Sequence, residues 1–163
     1  MTPRRDVALV IGLGNAYRRD DGAGLDVARR MRAVGVPGVR VLEHEGDPSW
    51  LVEAWSHARR VFVVDAVASG SRPGTVHRFD ARSAPPPAEF AHRGTHALSV
   101  ADAIELSRAI GRLPEQLVIY AIEGSRFEAG VGLSERVRSA VGEVAERVLA
   151  EIARPAIGPV AAG

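Results

Sequence analysis

Continuous apolar runs that end in glycine or an acidic residue are the feature of this sequence that most constrains its fold. The three clearest runs are DVALVIGLG (6–14), RRVFVVDAVASG (59–70) and EQLVIYAIEG (115–124). Strands of a parallel sheet are buried on both faces, so they read as unbroken hydrophobic runs and do not alternate with polar residues. We therefore predict that these three segments are strands in the interior of a parallel sheet.

Segments with helical spacing separate these runs. In segment 22–34, Leu25, Ala28 and Met31 fall on one helical face and arginines on the other, as in an amphipathic helix. The other predicted elements are a strand, a helix, an edge strand and two helices, at 38–46, 48–58, 74–81, 95–111 and 132–153. Alternating strands and helices predict an α/β fold, a three-layer sandwich in which helices flank a mostly parallel, twisted sheet of about five strands.

Polar residues stand where two of these helices begin. Asp20 and Asp21 precede the first helix, where acidic side chains suit the unpaired N–H groups and the helix dipole. Ser134 precedes the last helix and is predicted to cap it.

The length of 163 residues predicts one compact domain spanning 1–163, with a core at about 5–153 and a flexible tail at 154–163. The proline-rich stretch RSAPPPAEFAHRG (82–94) is predicted to be an internal loop.

Composition excludes several kinds of protein. The chain has no cysteine, which removes a disulfide framework, a thiolate nucleophile and a cysteine zinc site, and which favours a reducing, cytoplasmic location. Its 21 basic residues are all arginine, offset by 20 acidic residues. They have little aromatic interleaving, which argues against nucleic-acid binding. No apolar stretch approaches the ~20 residues of a membrane span, so no membrane association is expected.

Three polar side chains are predicted to meet where the strands end. Ligands of open α/β sheets bind at the carboxyl ends of the strands. Asp21 follows the first strand, Asp65 ends the run VFVVD, and His96 opens the helix after the proline-rich loop. Two carboxylates and an imidazole suit a divalent transition-metal ion. Each residue also has a structural alternative: Asp21 at a helix terminus, Asp65 bonded to backbone N–H groups, and His96 facing solvent.

The glycine turn IGLGNAYRRDDGAG (11–24) does not fit a nucleotide. A dinucleotide fingerprint needs a third glycine where this chain has Tyr17, and a P-loop needs a lysine, which the chain lacks. We predict that the glycines allow a sharp turn, so that Asn15 and the acidic pair face the end of the sheet.

Four segments together resemble the hydrogenase maturation proteases, endopeptidases that trim the C-terminus of the nickel–iron hydrogenase large subunit. These segments are GLGNAYRRDDGAG, VFVVDAVASG, GTHALSVADAIEL and AIEGSRFEAGVGLSERV. The resemblance runs from about residue 7 to about residue 148. It implies a twisted sheet flanked by helices, and a metal-contacting trio that maps onto Asp21, Asp65 and His96.

In the family, this trio is thought to sense nickel already installed in the large-subunit precursor. The resemblance therefore implies a substrate-borne nickel, replaceable by another divalent metal in vitro, and a precursor of the large subunit as partner. Asn15, Glu45 and Gly46 are the predicted substrate-binding residues. The loop EHEGDPS (43–49) departs from the usual Gly-Gly-Thr type, and Glu43, His44 and Glu45 are alternatives for an acid found there in other members.

The chemical step is predicted to be hydrolysis by water, because no serine has a histidine partner pattern and no H-E-x-x-H motif is present. Asp65 and His96 are the predicted catalytic residues, with Asp65 or Asp21 as general base. In the alternative, the trio only recognises nickel, and another group such as Glu45 activates the scissile bond.

Other functions compete with this interpretation. Peptidyl-tRNA hydrolases also open with GLGN, but they expect Pro-Gly next and a basic face, whereas this chain has Ala16–Tyr17 and a net charge of +1. A non-catalytic chaperone that binds metal or hydrogenase would carry the same ligand residues. A plain nucleotide-binding domain is the third alternative.

Overall fold

The computed structural model describes residues 7–85, 87 and 97–154, with the side chains of all of these except 97–99. Five strands and four α-helices follow one another along them. In chain order they are β1 (Ala8–Leu13), α1 (Ala23–Val34), β2 (Val39–His44), α2 (Pro48–Trp55), β3 (Arg60–Val67), β4 (Val76–Asp80), α3 (Ala97–Ala109), β5 (Gln116–Glu123) and α4 (Glu135–Ala153). A short 3-10 helix, Arg19–Gly22, lies between β1 and α1.

The strands form one mixed sheet in the order β2-β1-β3-β5-β4. All neighbouring pairs are parallel except β4 and β5, which are antiparallel. The predicted α/β fold with a mostly parallel sheet is confirmed, as is the placement of 74–81 at a sheet edge, where β4 lies. Among the described residues, each predicted bound coincides with the observed one or lies up to three residues beyond it.

Each face of the sheet is covered by its own helix pair, which is why the central strands are apolar throughout. On one face, α1 and α4 pack against residues such as Val10, Phe62 and Val118. On the other, α2 and α3 pack against their neighbours in the strands, such as Ile11, Val63 and Leu117. Successive side chains of a strand point to opposite faces, so both sets must be hydrophobic.

The chain reverses its direction across the sheet between β1 and β3. From β1 it moves outward to β2, and from β2 it returns to β3 on the other side of β1. A crevice forms outside the carboxyl ends of strands at such a switch point, and this is where ligands of open α/β sheets bind. The turn after β1 and the end of β3 lie at this switch point.

The starts of two helices differ from expectation. Gly22 is the N-cap of α1 and no side chain caps this helix; Asp20 and Asp21 directly precede Gly22, within the 3-10 helix. Ser134 occupies the N-cap position of α4 as predicted, but its hydroxyl makes no capping hydrogen bond. It donates to Asp20 instead.

Part of the predicted organisation lies outside the described residues. The proline-rich loop is described at 82–85 and 87, where no helix or strand is present. The rest of it and the tail at 155–163 are not described. Among the described residues, no helix is both long and apolar enough to cross a membrane.

Candidate functional site

Asp65 lies near the carboxyl end of β3, where its side chain is only 4% exposed. Its Oδ1 accepts a hydrogen bond from the N–H of Ala66 at 2.8 Å. The structural alternative considered for this residue, bonding to backbone N–H at the strand end, is therefore present. One carboxylate oxygen is oriented by its own strand.

The turn after β1 wraps around Asp21. Gly14 has a φ of +147° and sits so close to this residue that a Cβ at position 14 would lie 1.9 Å from the Asp21 carbonyl oxygen. Only glycine fits there. The N–H of Asn15 then donates to Asp21 Oδ2 at 2.9 Å, and Asn15 Oδ1 accepts from the N–H of Tyr17 at 2.9 Å. Asn15 thus organises the turn and orients the buried Asp21 carboxylate.

The elements that carry Asp21 and Asp65 are in contact. The 3-10 helix packs against β3, and Gly24 at the start of α1 lies so near both strands that a Cβ there would meet the carbonyl oxygens of Leu13 and Val64 at 2.4 and 2.3 Å. The structure therefore places the elements that carry the two predicted acids together at the carboxyl ends of the parallel strands, at the switch point between β1 and β3.

His96, the third member of the predicted trio, lies outside the described residues. Across 7–85, 87 and 97–154, no three His, Asp or Glu side chains are grouped as a metal site. The metal-binding and catalytic roles given to Asp21, Asp65 and His96 therefore stay predictions.

Asp20, which the sequence placed at a helix terminus and facing the end of the sheet, is the centre of a hydrogen-bond network. Its carboxylate accepts five hydrogen bonds, from the N–H and hydroxyl of both Ser125 and Ser134 and from the N–H of Arg126. Burial raises the pKa of Asp20, but the donors from Ser125, Ser134 and Arg126 outweigh it and hold the pKa below its usual value. Asp20 stays ionised and ties the loop after β5 to the turn after β1.

The three alternatives that the sequence left open, two at the end of β2 and one in the loop after it, have different surroundings. Glu43 points toward α1 and pairs with Arg32 at 2.6 Å and Arg29 at 3.0 Å. The hydrogen bond from Arg32 lowers the pKa of Glu43, and Arg29 adds to this effect. Its charge is thus matched by two arginines, whereas Glu45 is exposed.

His44 and Gly46 are joined within this loop. The N–H of Gly46 donates to His44 Nδ1 at 2.9 Å, and the His44 ring stacks on Trp50 with 3.9 Å between centroids. Gly46 is buried and has a φ of +107°. The sequence offered His44 only as one of three alternatives for an acid in this loop, and it did not predict the hydrogen bond to Gly46. The substrate-binding roles given to Asn15, Glu45 and Gly46 stay predictions.

Comparisons with known proteins point to one family. The family model described as hydrogenase maturation protease matches residues 26–151, which include Asp65 and the loop after β2 but begin after Asp21. A candidate hydrogenase maturation protease from Methanocaldococcus jannaschii is 25% identical over 155 residues, covering 91% of this chain and 97% of the relative.

Solved structures share the fold. The hydrogenase maturating endopeptidase HybD from Escherichia coli superposes with a TM-score of 0.78 at 23% identity, covering 89% of this chain and 91% of that one. The [NiFe] hydrogenase maturation protease HycI from Thermococcus kodakarensis superposes with a TM-score of 0.67 at 25% identity, covering 92% and 94%. This chain therefore shares its overall fold with these proteins.

Proposed function

Since this chain belongs to the hydrogenase maturation protease family, we propose that it is an endopeptidase that removes a C-terminal extension from a nickel-loaded precursor of a nickel–iron hydrogenase large subunit. The observation that carries the proposal is the placement of two buried acids, Asp21 and Asp65, on contacting elements at the switch point of the sheet. This is the edge at which an open α/β sheet binds its ligand.

Nickel is the recognition element in this proposal, and it arrives with the precursor. Asp21 and Asp65 supply carboxylate oxygens and His96 an imidazole nitrogen, a donor set suited to a divalent transition metal. The described contacts are compatible with this role, because each acid is held by a backbone N–H, from Asn15 and Ala66 respectively. A carboxylate oriented in advance loses little conformational freedom when it meets a metal centre.

The chemical step proposed is attack of water on the scissile carbonyl. A carboxylate, Asp65 or Asp21, takes a proton from the water as it adds to the carbonyl carbon, and then gives that proton to the leaving amine as the C–N bond breaks. The chain has no cysteine to act as a nucleophile. Glu45 is the alternative base, because it is exposed on the loop after β2.

A cleavage assay tests this function. The purified protein is incubated with nickel-loaded precursor, and the C-terminus of the precursor is measured by mass spectrometry. We expect loss of a short extension with the wild-type protein, and none with His96→Ala or with nickel-free precursor. Binding of the precursor without cleavage would identify a non-catalytic chaperone instead. Normal cleavage by His96→Ala would remove His96 from the site.

A further inference from the structure

The segment from His44 to Trp50 forms a closed unit at the end of β2. Asp47 is the N-cap of α2, and its side chain accepts the N–H of Trp50 at 2.9 Å. The ring of Trp50 stacks on His44 with an angle of 4° between the planes. His44 in turn holds Gly46 through Nδ1. Both ends of the turn are therefore fixed, one by a helix cap and the other by an imidazole.

Gly46 depends on His44 for a hydrogen-bond acceptor. Its φ of +107° is a conformation that residues with a Cβ rarely adopt. A buried N–H without an acceptor is costly, and the one at Gly46 donates to His44 Nδ1 at 2.9 Å. Because Nδ1 accepts this bond, the proton of the neutral ring is on Nε2.

The same histidine connects this loop to the turn that holds Asp21. The carbonyl oxygen of His44 accepts the N–H of Gly14 at 3.1 Å. The next residue, Asn15, donates its own N–H to Asp21 at 2.9 Å. His44 thus joins the loop after β2 to the turn after β1 through its backbone, and orders Gly46 through its side chain.

From this arrangement we propose that His44 is a positioning residue, which fixes the Glu45–Gly46 turn against the precursor by accepting the Gly46 N–H. The proposal rests on the function proposed above, and it deepens the role of the loop after β2. His44 does not act on the scissile bond. Glu43, the preceding residue, is paired with Arg29 and Arg32 and points to the opposite side of β2.

Two substitutions test separately the two contributions of the His44 side chain, its hydrogen-bond acceptor and its stacked ring. His44→Phe keeps a flat ring to stack on Trp50 but has no acceptor for the Gly46 N–H. His44→Asn loses the ring, yet an asparagine oxygen can accept the N–H two residues further on, as in an Asx turn. If the acceptor is what matters, Asn retains function and Phe does not. A merely structural stacking role predicts the opposite order.

The first measurement is steady-state cleavage of nickel-loaded precursor. We expect kcat/KM to fall roughly five- to tenfold in His44→Phe, mainly through KM, as for loss of one hydrogen bond that orders a binding loop. His44→Asn should stay within about twofold of wild type, since it keeps that bond. Equal kcat/KM in wild type and His44→Phe overturns the proposal, and so does a larger loss in His44→Asn than in His44→Phe. A wild-type protein that cuts no nickel-loaded precursor overturns the proposed function together with this one.

The second measurement does not depend on cleavage. Amide hydrogen exchange at Gly46, followed by NMR, should be at least about fivefold faster in His44→Phe than in wild type, because the N–H has lost its acceptor. The rate in His44→Asn should stay close to wild type. An unchanged Gly46 exchange rate in His44→Phe shows that His44 does not hold the turn, and it overturns the inference even if wild type cleaves.

Discussion

Asp20 and Asp21 are neighbours in sequence and both are buried, yet their surroundings give them different tasks. Asp20 accepts five hydrogen bonds from a loop that is more than 100 residues away in sequence. Asp21 accepts the N–H of Asn15 in its own turn and lies on an element that contacts β3. The comparison teaches that the donors around a carboxylate, and not its burial, separate a structural acid from a candidate functional one.

Replacing Asp21 with asparagine is the change expected to have the largest effect. Asp21→Asn keeps an oxygen for the Asn15 N–H but removes the charge that would bind metal or accept a proton. We expect kcat/KM for precursor cleavage to fall at least about 100-fold, the usual range for loss of an acid–base or ligand group. The free energy of unfolding should change by less than about 1 kcal/mol, because the hydrogen bond is retained. Full activity in this variant would make Asp21 a second structural acid.

Replacing Asp20 should have the opposite effect, a large change in the free energy of unfolding. Asp20→Ala removes the shared acceptor of the N–H and hydroxyl donors of Ser125, Arg126 and Ser134, of which Ser134 is half-buried and the other two residues are exposed. We expect the free energy of unfolding to fall by about 3 kcal/mol, because five hydrogen bonds to a buried, charged carboxylate are lost at once, although water can reach the donors of the exposed residues. Urea denaturation measures this loss. Asp26→Ala is the matched control. Asp26 is half-exposed and its Oδ1 lies 3.8 Å from Arg29 Nη1, and an exposed ion pair of this kind contributes little to the free energy of unfolding.

Much of the fold, but less of the site, could be predicted from the sequence. The sheet was predictable because β1, β3 and β5 are buried on both faces and therefore read as apolar runs. The positions of Asp21 and Asp65 at one end of the sheet were predictable, because the carboxyl ends of parallel strands lie together, while the roles of the two residues stay predictions. The network of Asp20 was not, because its donors, Ser125 and Ser134, belong to a distant loop.

At the end of β2 and in the loop after it, the sequence also could not predict the contacts of the side chains, although these residues are adjacent in the chain. Glu43, His44 and Glu45 were equivalent candidates in sequence. Alternation along the strand sends Glu43 to the arginines of α1 and His44 to the ring of Trp50. That outcome depends on where α1 and α2 pack, on opposite faces of the sheet, and no local pattern encodes it.

The pH dependence of the free energy of unfolding tests whether Asp20 stabilises the fold as a charged carboxylate. Its hydrogen bonds lower the pKa of the folded carboxyl below that of the unfolded chain. Such a carboxyl stabilises the fold at pH values above its pKa in the unfolded chain, which is about 4. This contribution is lost as the pH falls through the lower pKa of the folded state. The difference in unfolding free energy between wild type and Asp20→Asn should therefore be constant from about pH 7 to 5 and shrink below about pH 4. Urea titrations at each pH measure it, and a difference that grows in acid would contradict the assignment.

The smallest expected effect distinguishes the two serines that donate to Asp20. Ser134 is half-buried and its hydroxyl lies 3.0 Å from Asp20 Oδ2, whereas Ser125 is exposed and its hydroxyl is 3.3 Å from the same atom. Ser134→Ala should lower the free energy of unfolding by about 1 kcal/mol, and Ser125→Ala by less than about 0.5 kcal/mol, since water replaces an exposed donor. Because Ser134 also occupies the N-cap of α4, Ser134→Asp tests the origin of the loss. A carboxylate there could cap the helix but would repel Asp20, so this variant should be less stable than Ser134→Ala if the bond to Asp20 is the one that matters. The reverse order would show that Ser134 serves α4 and not the network of Asp20.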